Sequence, residues 1–221
     1  MKTHVRFAKR HTRRYQEFTR NAYLDGADVL TEEGNIAVYN RLLFALLSVN
    51  TSYATSAKAY TAMSGKYWRD GQEIMAEYMR HGVHYAGARA GYLAEATERF
   101  IEDPIAFIKR QDESWNEYRF RLVKLIPGLS FCKVSFFIGM IYRNADVCCL
   151  DRWMLRSLGI KNVDKALSRL SKPYRTSDRM YRRLESTLRN KNKTDLSLPA
   201  FQWAVWDSIQ KQSNAMEVLA Q

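Results

Sequence analysis

Lys133 and Asp151 are the two residues whose chemistry and setting stand out in this chain, eighteen positions apart and each at the expected start of a helix. The lysine follows Leu125-Ile-Pro-Gly-Leu-Ser-Phe-Cys and the aspartate opens Asp151-Arg-Trp-Met-Leu-Arg156. A lysine near the positive end of a helix dipole, partly withdrawn from water, is a usable amine nucleophile. An aspartate nearby would take up its proton and stabilise positive charge developing on a sugar ring as a base departs. The competing reading is plainer: Lys133 binds phosphate, and Asp151 caps the helix over 152–158.

The turn before the lysine supports the first reading. Gly128 in a tight connection between helices lets the backbone approach a phosphate closely, and the free N–H groups at the next helix start favour an anion. Pro127, Gly128, Leu129 and Ser130 are therefore candidate DNA-backbone contacts that hold a duplex without reading its sequence. Phe137 lies one helical turn beyond Lys133 and so shares its face. Gln202 and Trp206 have the same spacing on the last expected helix. For Phe137 and Trp206, packing in the core is the plain reading of that spacing.

Positioning these groups requires a helical scaffold, and the pattern supplies one. Ile36, Tyr39, Leu42, Leu43, Leu46 and Leu47 recur at helical spacing and predict a buried helix ending near Val49-Asn50-Thr51, with a second starting near Thr55. Gly82 ends a further helix, and Leu93, Ala96, Phe100 and Ile101 mark the next, which Asp103-Pro104 breaks. Trp115, Tyr118, Leu122 and Leu125 lead into the Pro-Gly turn, and Val134, Phe137, Ile138 and Ile141 follow it. Residues 164–193 read as one or two basic helices separated around Lys172-Pro173, and Leu198-Pro199 starts the last. No alternating strand pattern occurs, so the fold class expected is all-α.

Charge indicates the partner. The 221 residues carry a net charge of +12, yet residues 1–20 hold seven Lys/Arg against one acid, and residues 161–193 hold eleven against three. These two segments together exceed the net charge of the whole, so the remainder is slightly acidic. Clustered positive charge is the footprint of a nucleic-acid binder, because each neutralised phosphate releases counterions. An anionic membrane or an acidic protein would attract the same surface. No apolar run approaches the roughly 18 residues that span a bilayer, and no apolar signal core follows the basic start. Cys132, Cys148 and Cys149 offer neither a disulfide framework nor a four-cysteine cluster. A reduced, cytoplasmic, DNA-associated protein is expected, with no metal, no cofactor, no membrane contact and no protein partner that the sequence identifies.

Over residues 36–210 the sequence resembles the helix-hairpin-helix DNA glycosylases, the superfamily of endonuclease III and the 8-oxoguanine glycosylases. Leu42 to Lys58 resembles the family's buried helix and the loop after it, and His81-Gly-Val-His-Tyr-Ala-Gly-Ala-Arg89 its short turn into the following helix. Ile126-Pro-Gly-Leu-Ser130 resembles the hairpin, and Leu150-Asp-Arg-Trp-Met-Leu-Arg156 the segment bearing the family's aspartate. The Lys133-to-Asp151 spacing agrees with endonuclease III. Lysine five residues after Gly128 and Gln202-Trp-Ala-Val-Trp-Asp207 resemble phage-encoded members without an iron–sulfur cluster. In three places the chain departs from the family. Ser130 replaces a second glycine, an extra residue precedes Lys133, and Arg152-Trp153 replaces Thr-His. Either the turn is remodelled or Cys132 takes the lysine's usual place.

The resemblance implies two lobes flanking a DNA-binding cleft. A basic arm over 1–30 would pack with the C-terminal lobe, a lobe over 36–158 would contain the hairpin at about 118–142, and a basic helical lobe would cover 159–221. It also implies excision of a damaged or modified base from double-stranded DNA through a Schiff-base lysine with abasic-site lyase activity, or through Asp151 and a water alone. Asn50 would fill the vacated stack, Phe137 and Trp206 would sandwich the flipped base while Gln202 bonds to its edge as in the 8-oxoguanine glycosylases, and Arg152 and Arg156 would contact phosphate. Two alternatives remain. One is a phage-type transferase that modifies DNA bases on the same fold, and the other a non-catalytic DNA-binding protein.

Overall fold

The computed structural model describes residues 31–171, 175–192 and 196–210. Ten α-helices and one short 3-10 helix occupy these residues, and no strand occurs among them. The basic arm expected over 1–30 and the break expected at Lys172-Pro173 lie outside the described residues. The chain divides into two compact units whose boundary falls between Phe137 and Ile138.

The first unit holds α1 (Glu32–Leu47), α2 (Tyr53–Met63), α3 (Gly71–Arg80), α4 (Ala86–Glu102), the 3-10 turn Pro104–Phe107, α5 (Trp115–Leu125) and the start of α6 (Phe131–Ile141). Thr31 caps α1 by accepting from the Gly34 N–H at 2.9 Å, with Glu32 and Glu33 at the positive end of the dipole. Val38, Tyr39 and every residue from Leu42 to Leu47 are buried, so α1 is the core helix around which its neighbours pack. Tyr39 shares a hydrogen bond with Thr97 of α4 at 2.9 Å and accepts from the Trp68 N–H at 3.0 Å. Phe44 meets the rings of Tyr53, Tyr60 and Phe136. Burying each such side chain contributes about 1.5–3 kcal/mol.

α4 ends where Asp103 caps the 3-10 turn, accepting from the Ala106 N–H at 3.1 Å. Ser114 and Glu117 then form a capping box that starts α5. Between them, Arg121 grips both oxygens of Glu113 at 2.8 Å and donates to the Ile108 carbonyl at 2.8 Å. This fastens the connection ahead of α5 to the helix itself.

The second unit continues α6 and adds α7 (Arg152–Ser157), α8 (Val163–Leu170), α9 (Arg175–Lys191) and α10 (Leu198–Gln210). α10 and α8 both pack on α7, and α9 packs on α8. On α9 the residues Asp178, Tyr181, Glu185 and Leu188 are buried at helical spacing, while Arg179, Arg182, Arg183 and Arg189 are exposed. Gly139 of α6 stands where a Cβ would come within 3.3 Å of Pro199, so its missing side chain permits close contact with the start of α10. No helix among the described residues is long and apolar enough to cross a membrane.

Candidate active site

The connection between α5 and α6 is built from its turn residues. Ile126 ends α5, and the Leu129 N–H reaches back to the Ile126 carbonyl at 3.4 Å, with Gly128 at a φ of 77°. Proline and then a positive-φ glycine at the two central positions is the chemistry of a type II turn. Gly128 is required twice over, because a Cβ there would also lie 2.5 Å from the ring of Tyr92 on α4. Ser130 immediately precedes α6, and its carbonyl accepts from the Val134 N–H at 2.9 Å. Serine is favoured at that helix-start position, which gives a physical reason for its presence there.

The two helices of the hairpin are tied by Arg119, which is fully buried. It donates to Ser135 at 3.2 Å and to Asn116 at 2.6 Å, and its guanidinium lies 5.6 Å from the Phe131 ring centroid. Lys133 is the third residue of α6 and is half-buried. Its amine lies 5.4 Å from the ring centroid of Phe136, an attraction between cation and aromatic face. Cys132 precedes it and is half-buried too.

In the second unit, Asp151 is the N-cap of α7, and one carboxylate oxygen accepts from the Met154 N–H at 2.9 Å. The segment leading to it is held by two buried side chains. Glu185 of α9 accepts from the Cys148 N–H at 2.9 Å, and Gln202 of α10 accepts from the Cys149 N–H at 2.6 Å. The Cys148 thiol also donates to the same Gln202 oxygen at 3.3 Å. A backbone N–H can bond only to the amide oxygen, so Gln202 is fixed with that oxygen turned to the chain. Arg152 pairs with Asp164 at 2.8 Å, and the Arg156 guanidinium lies 4.9 Å from the Trp153 ring centroid.

Phe137 is completely buried, and Trp206 is 7 % exposed and meets Trp203 edge to face at 5.1 Å. Asn50 is exposed and adopts the left-handed conformation with φ 49°, two residues past the Ser48 cap of α1. Only one other described non-glycine residue does so: Tyr85, at φ 56° and 75 % exposed, which precedes α4. Asparagine tolerates this conformation, whereas for tyrosine it costs about 1–2 kcal/mol.

Three residues of this region escaped the sequence reading. Arg89 of α4 is buried and donates to the Thr51 hydroxyl at 2.8 Å, the His84 carbonyl at 3.0 Å and the Leu46 carbonyl. Burial pulls its guanidinium below the ordinary arginine value, an effect partly offset by the hydroxyl of Tyr78, itself pushed up by burial. Tyr92 packs against the hairpin glycine, and Glu185 anchors the approach to Asp151. Arg89 had one visible signal, a lone basic residue in the small-residue run Ala86-Gly-Ala-Arg-Ala-Gly91. The other two had none, since their partners lie 36 and 37 positions away in the sequence.

Helices throughout the described residues, a glycine-turn hairpin and a helix-capping aspartate define a helix-hairpin-helix protein. Residues 20–195 match the family described as 8-oxoguanine DNA glycosylase, and the chain belongs to that family. The 8-oxoguanine glycosylase/lyase of Methanocaldococcus jannaschii, solved with a 15mer DNA containing 8-oxoguanine, superposes with a TM-score of 0.72 at 19 % identity. The match covers 94 % of this chain and 97 % of that one. The 8-oxoguanine DNA glycosylase of Thermotoga maritima gives a TM-score of 0.72 at 18 % identity, over 96 % of each chain. A further structure of the Methanocaldococcus enzyme gives 0.69 at 20 % identity, covering 96 % of this chain and 94 % of that one. No curated protein matches the chain.

Proposed function

We propose that this protein excises oxidised guanine from double-stranded DNA and cleaves the strand at the resulting abasic site. The observation that carries this reading is the placement of Lys133 in the first turn of α6, delivered there by the type II turn that ends α5. In the proposed reaction Lys133, on losing the proton of its ammonium form, attacks the anomeric carbon of the flipped nucleotide through its amine. The glycosidic bond breaks, and its electron pair leaves with the base, which takes up a proton. The carboxylate of Asp151 accepts the proton released by the attacking amine and stabilises the cationic sugar. The lysine-bound sugar opens to a Schiff base, and β-elimination then expels the 3′ phosphate. Extruding the nucleotide costs a few kcal/mol, which Asn50 offsets by occupying the vacated stack while the hairpin residues 127–130 hold the backbone.

Gln202 is assigned to the edge of the base and Phe137 and Trp206 to its faces. Because the Gln202 oxygen is engaged by Cys149, the group left to the base is the NH2 donor, which suits a carbonyl on the ligand. Arg152 and Arg156 are assigned to phosphate.

Borohydride trapping on an abasic-site duplex tests the lysine. Wild type and Cys132→Ala are expected to form a covalent adduct, and Lys133→Ala is expected to lose it. Adduct retained in Lys133→Ala refutes the assignment. Release of free 8-oxoguanine without any adduct assigns the reaction to Asp151 and a water. Neither adduct nor released base leaves a base modifier or a non-catalytic DNA binder.

A further inference from the structure

Arg89 is the point at which two exposed turns of the first unit meet. One is the turn after α1, where Thr51 accepts from the Arg89 guanidinium at 2.8 Å next to left-handed Asn50. The other is the turn before α4, where the His84 carbonyl accepts from the same nitrogen at 3.0 Å next to left-handed Tyr85. A third bond runs to the Leu46 carbonyl in the last turn of α1. Thr51 in turn donates to the Val49 carbonyl at 3.0 Å, which closes the loop around Asn50. Both described non-glycine residues with positive φ therefore flank direct partners of one buried guanidinium. Left-handed backbone at a residue such as Tyr85 persists only where its surroundings over-determine it. A planar group with five donors in a fixed fork supplies that, and lysine, with one rotatable ammonium, cannot reproduce it.

We infer that Arg89 is a positioning residue for lesion recognition: it holds the Asn50 turn rigid, at a set distance from the Tyr85 turn, so that Asn50 enters the DNA stack already ordered. The inference rests on the base-excision reading, since it gives Asn50 a vacated stack to fill. A side chain ordered before binding loses no rotamer freedom on insertion, and that advantage exists only at a site where a base is missing or displaced. Without Arg89 the turn would still be present but Asn50 would sample many positions, and preference for the lesion would fall while attraction to phosphate stayed.

The test measures affinity rather than turnover, so that it stands apart from the catalytic assignments. Fluorescence anisotropy compares an intact duplex with one bearing a tetrahydrofuran abasic analogue, for wild type, Arg89→Met, Asn50→Ala and the double variant, each checked for helix content and Tm. Arg89→Met and Asn50→Ala are each expected to lower the preference for the analogue by about tenfold. The double variant is expected to lose no more than either alone, the non-additivity of residues acting through one contact. Arg89→Lys should restore only part of the preference. Thr51→Val, which removes the bond to the Asn50 turn and leaves Arg89 in place, should reproduce most of the loss and decides the matter if Arg89→Met does not fold. A folded Arg89→Met with full preference, losses that multiply in the double variant, or equal loss on both duplexes would overturn the inference. A wild type with no preference for the analogue would overturn the base-excision reading, and this inference with it.

Discussion

Asp151 joins a structural task to a proposed chemical one, and one substitution can separate them. Its carboxylate caps α7 through the Met154 N–H. Asparagine caps a helix as well as aspartate does, whereas alanine costs about 1 kcal/mol. Asp151→Asn is therefore expected to unfold within about 0.5 kcal/mol of wild type while base release is lost, because the amide neither accepts a proton nor balances a cationic sugar. Asp151→Ala is expected to lose both stability and activity. Denaturant unfolding beside an excision assay distinguishes the cases; full activity in Asp151→Asn would reduce the residue to its capping role. At this scale the sequence revealed the residue types and little of their engagement. Asp151 was readable as a cap because its partner is three residues away. The bond from the Cys149 N–H to Gln202 spans 53 positions, and no local spacing foretells it.

α4 is the spine of the first unit's candidate DNA-facing surface. Arg89, Tyr92 and Arg99 recur along one side of it and reach, in turn, the Asn50 turn, the hairpin glycine and the last carbonyl of α5, which Arg99 contacts at 2.6 Å. Gly128→Ala attacks this arrangement at its tightest point. A left-handed alanine costs about 1–2 kcal/mol, so Tm should fall by about 2–8 °C in a chain of this size. Its Cβ would also push the turn off the Tyr92 ring, and affinity for intact duplex should fall with it. Undiminished DNA affinity in a destabilised Gly128→Ala would remove the hairpin from the interface. The elements themselves were legible because their signals are local: the stripes around Leu42, Leu122 and Val134, the Asp103-Pro104 break and the Pro127-Gly128 turn all reappear as helices and ends. That α4 would organise the surface was not legible. Its burial pattern only marks it as amphipathic, and what its polar face grips is set by tertiary packing.

On the scale of the whole molecule, the net charge of +12 and the neutral groups proposed to recognise the lesion make separable contributions. Phosphate neutralisation releases counterions and gives a log–log salt slope of about −0.9 per contact, so half a dozen contacts yield a slope near −5 and a loss of about a thousandfold between 50 and 200 mM salt. The exposed guanidiniums of Arg179 and Arg183 are available for such contacts. Asn50, by contrast, is uncharged, and an abasic analogue has the same phosphates as the duplex it replaces. Anisotropy titrations across that salt range are therefore expected to give parallel lines for intact and abasic duplexes, with affinity collapsing while the preference for the lesion holds steady. Asn50→Ala should bring the two lines together without changing their slope. A steeper line for the abasic duplex would mean that the lesion lets the DNA bend onto additional basic residues. Recognition would then be electrostatic in origin, and the ordered turn would matter less than the charge around it.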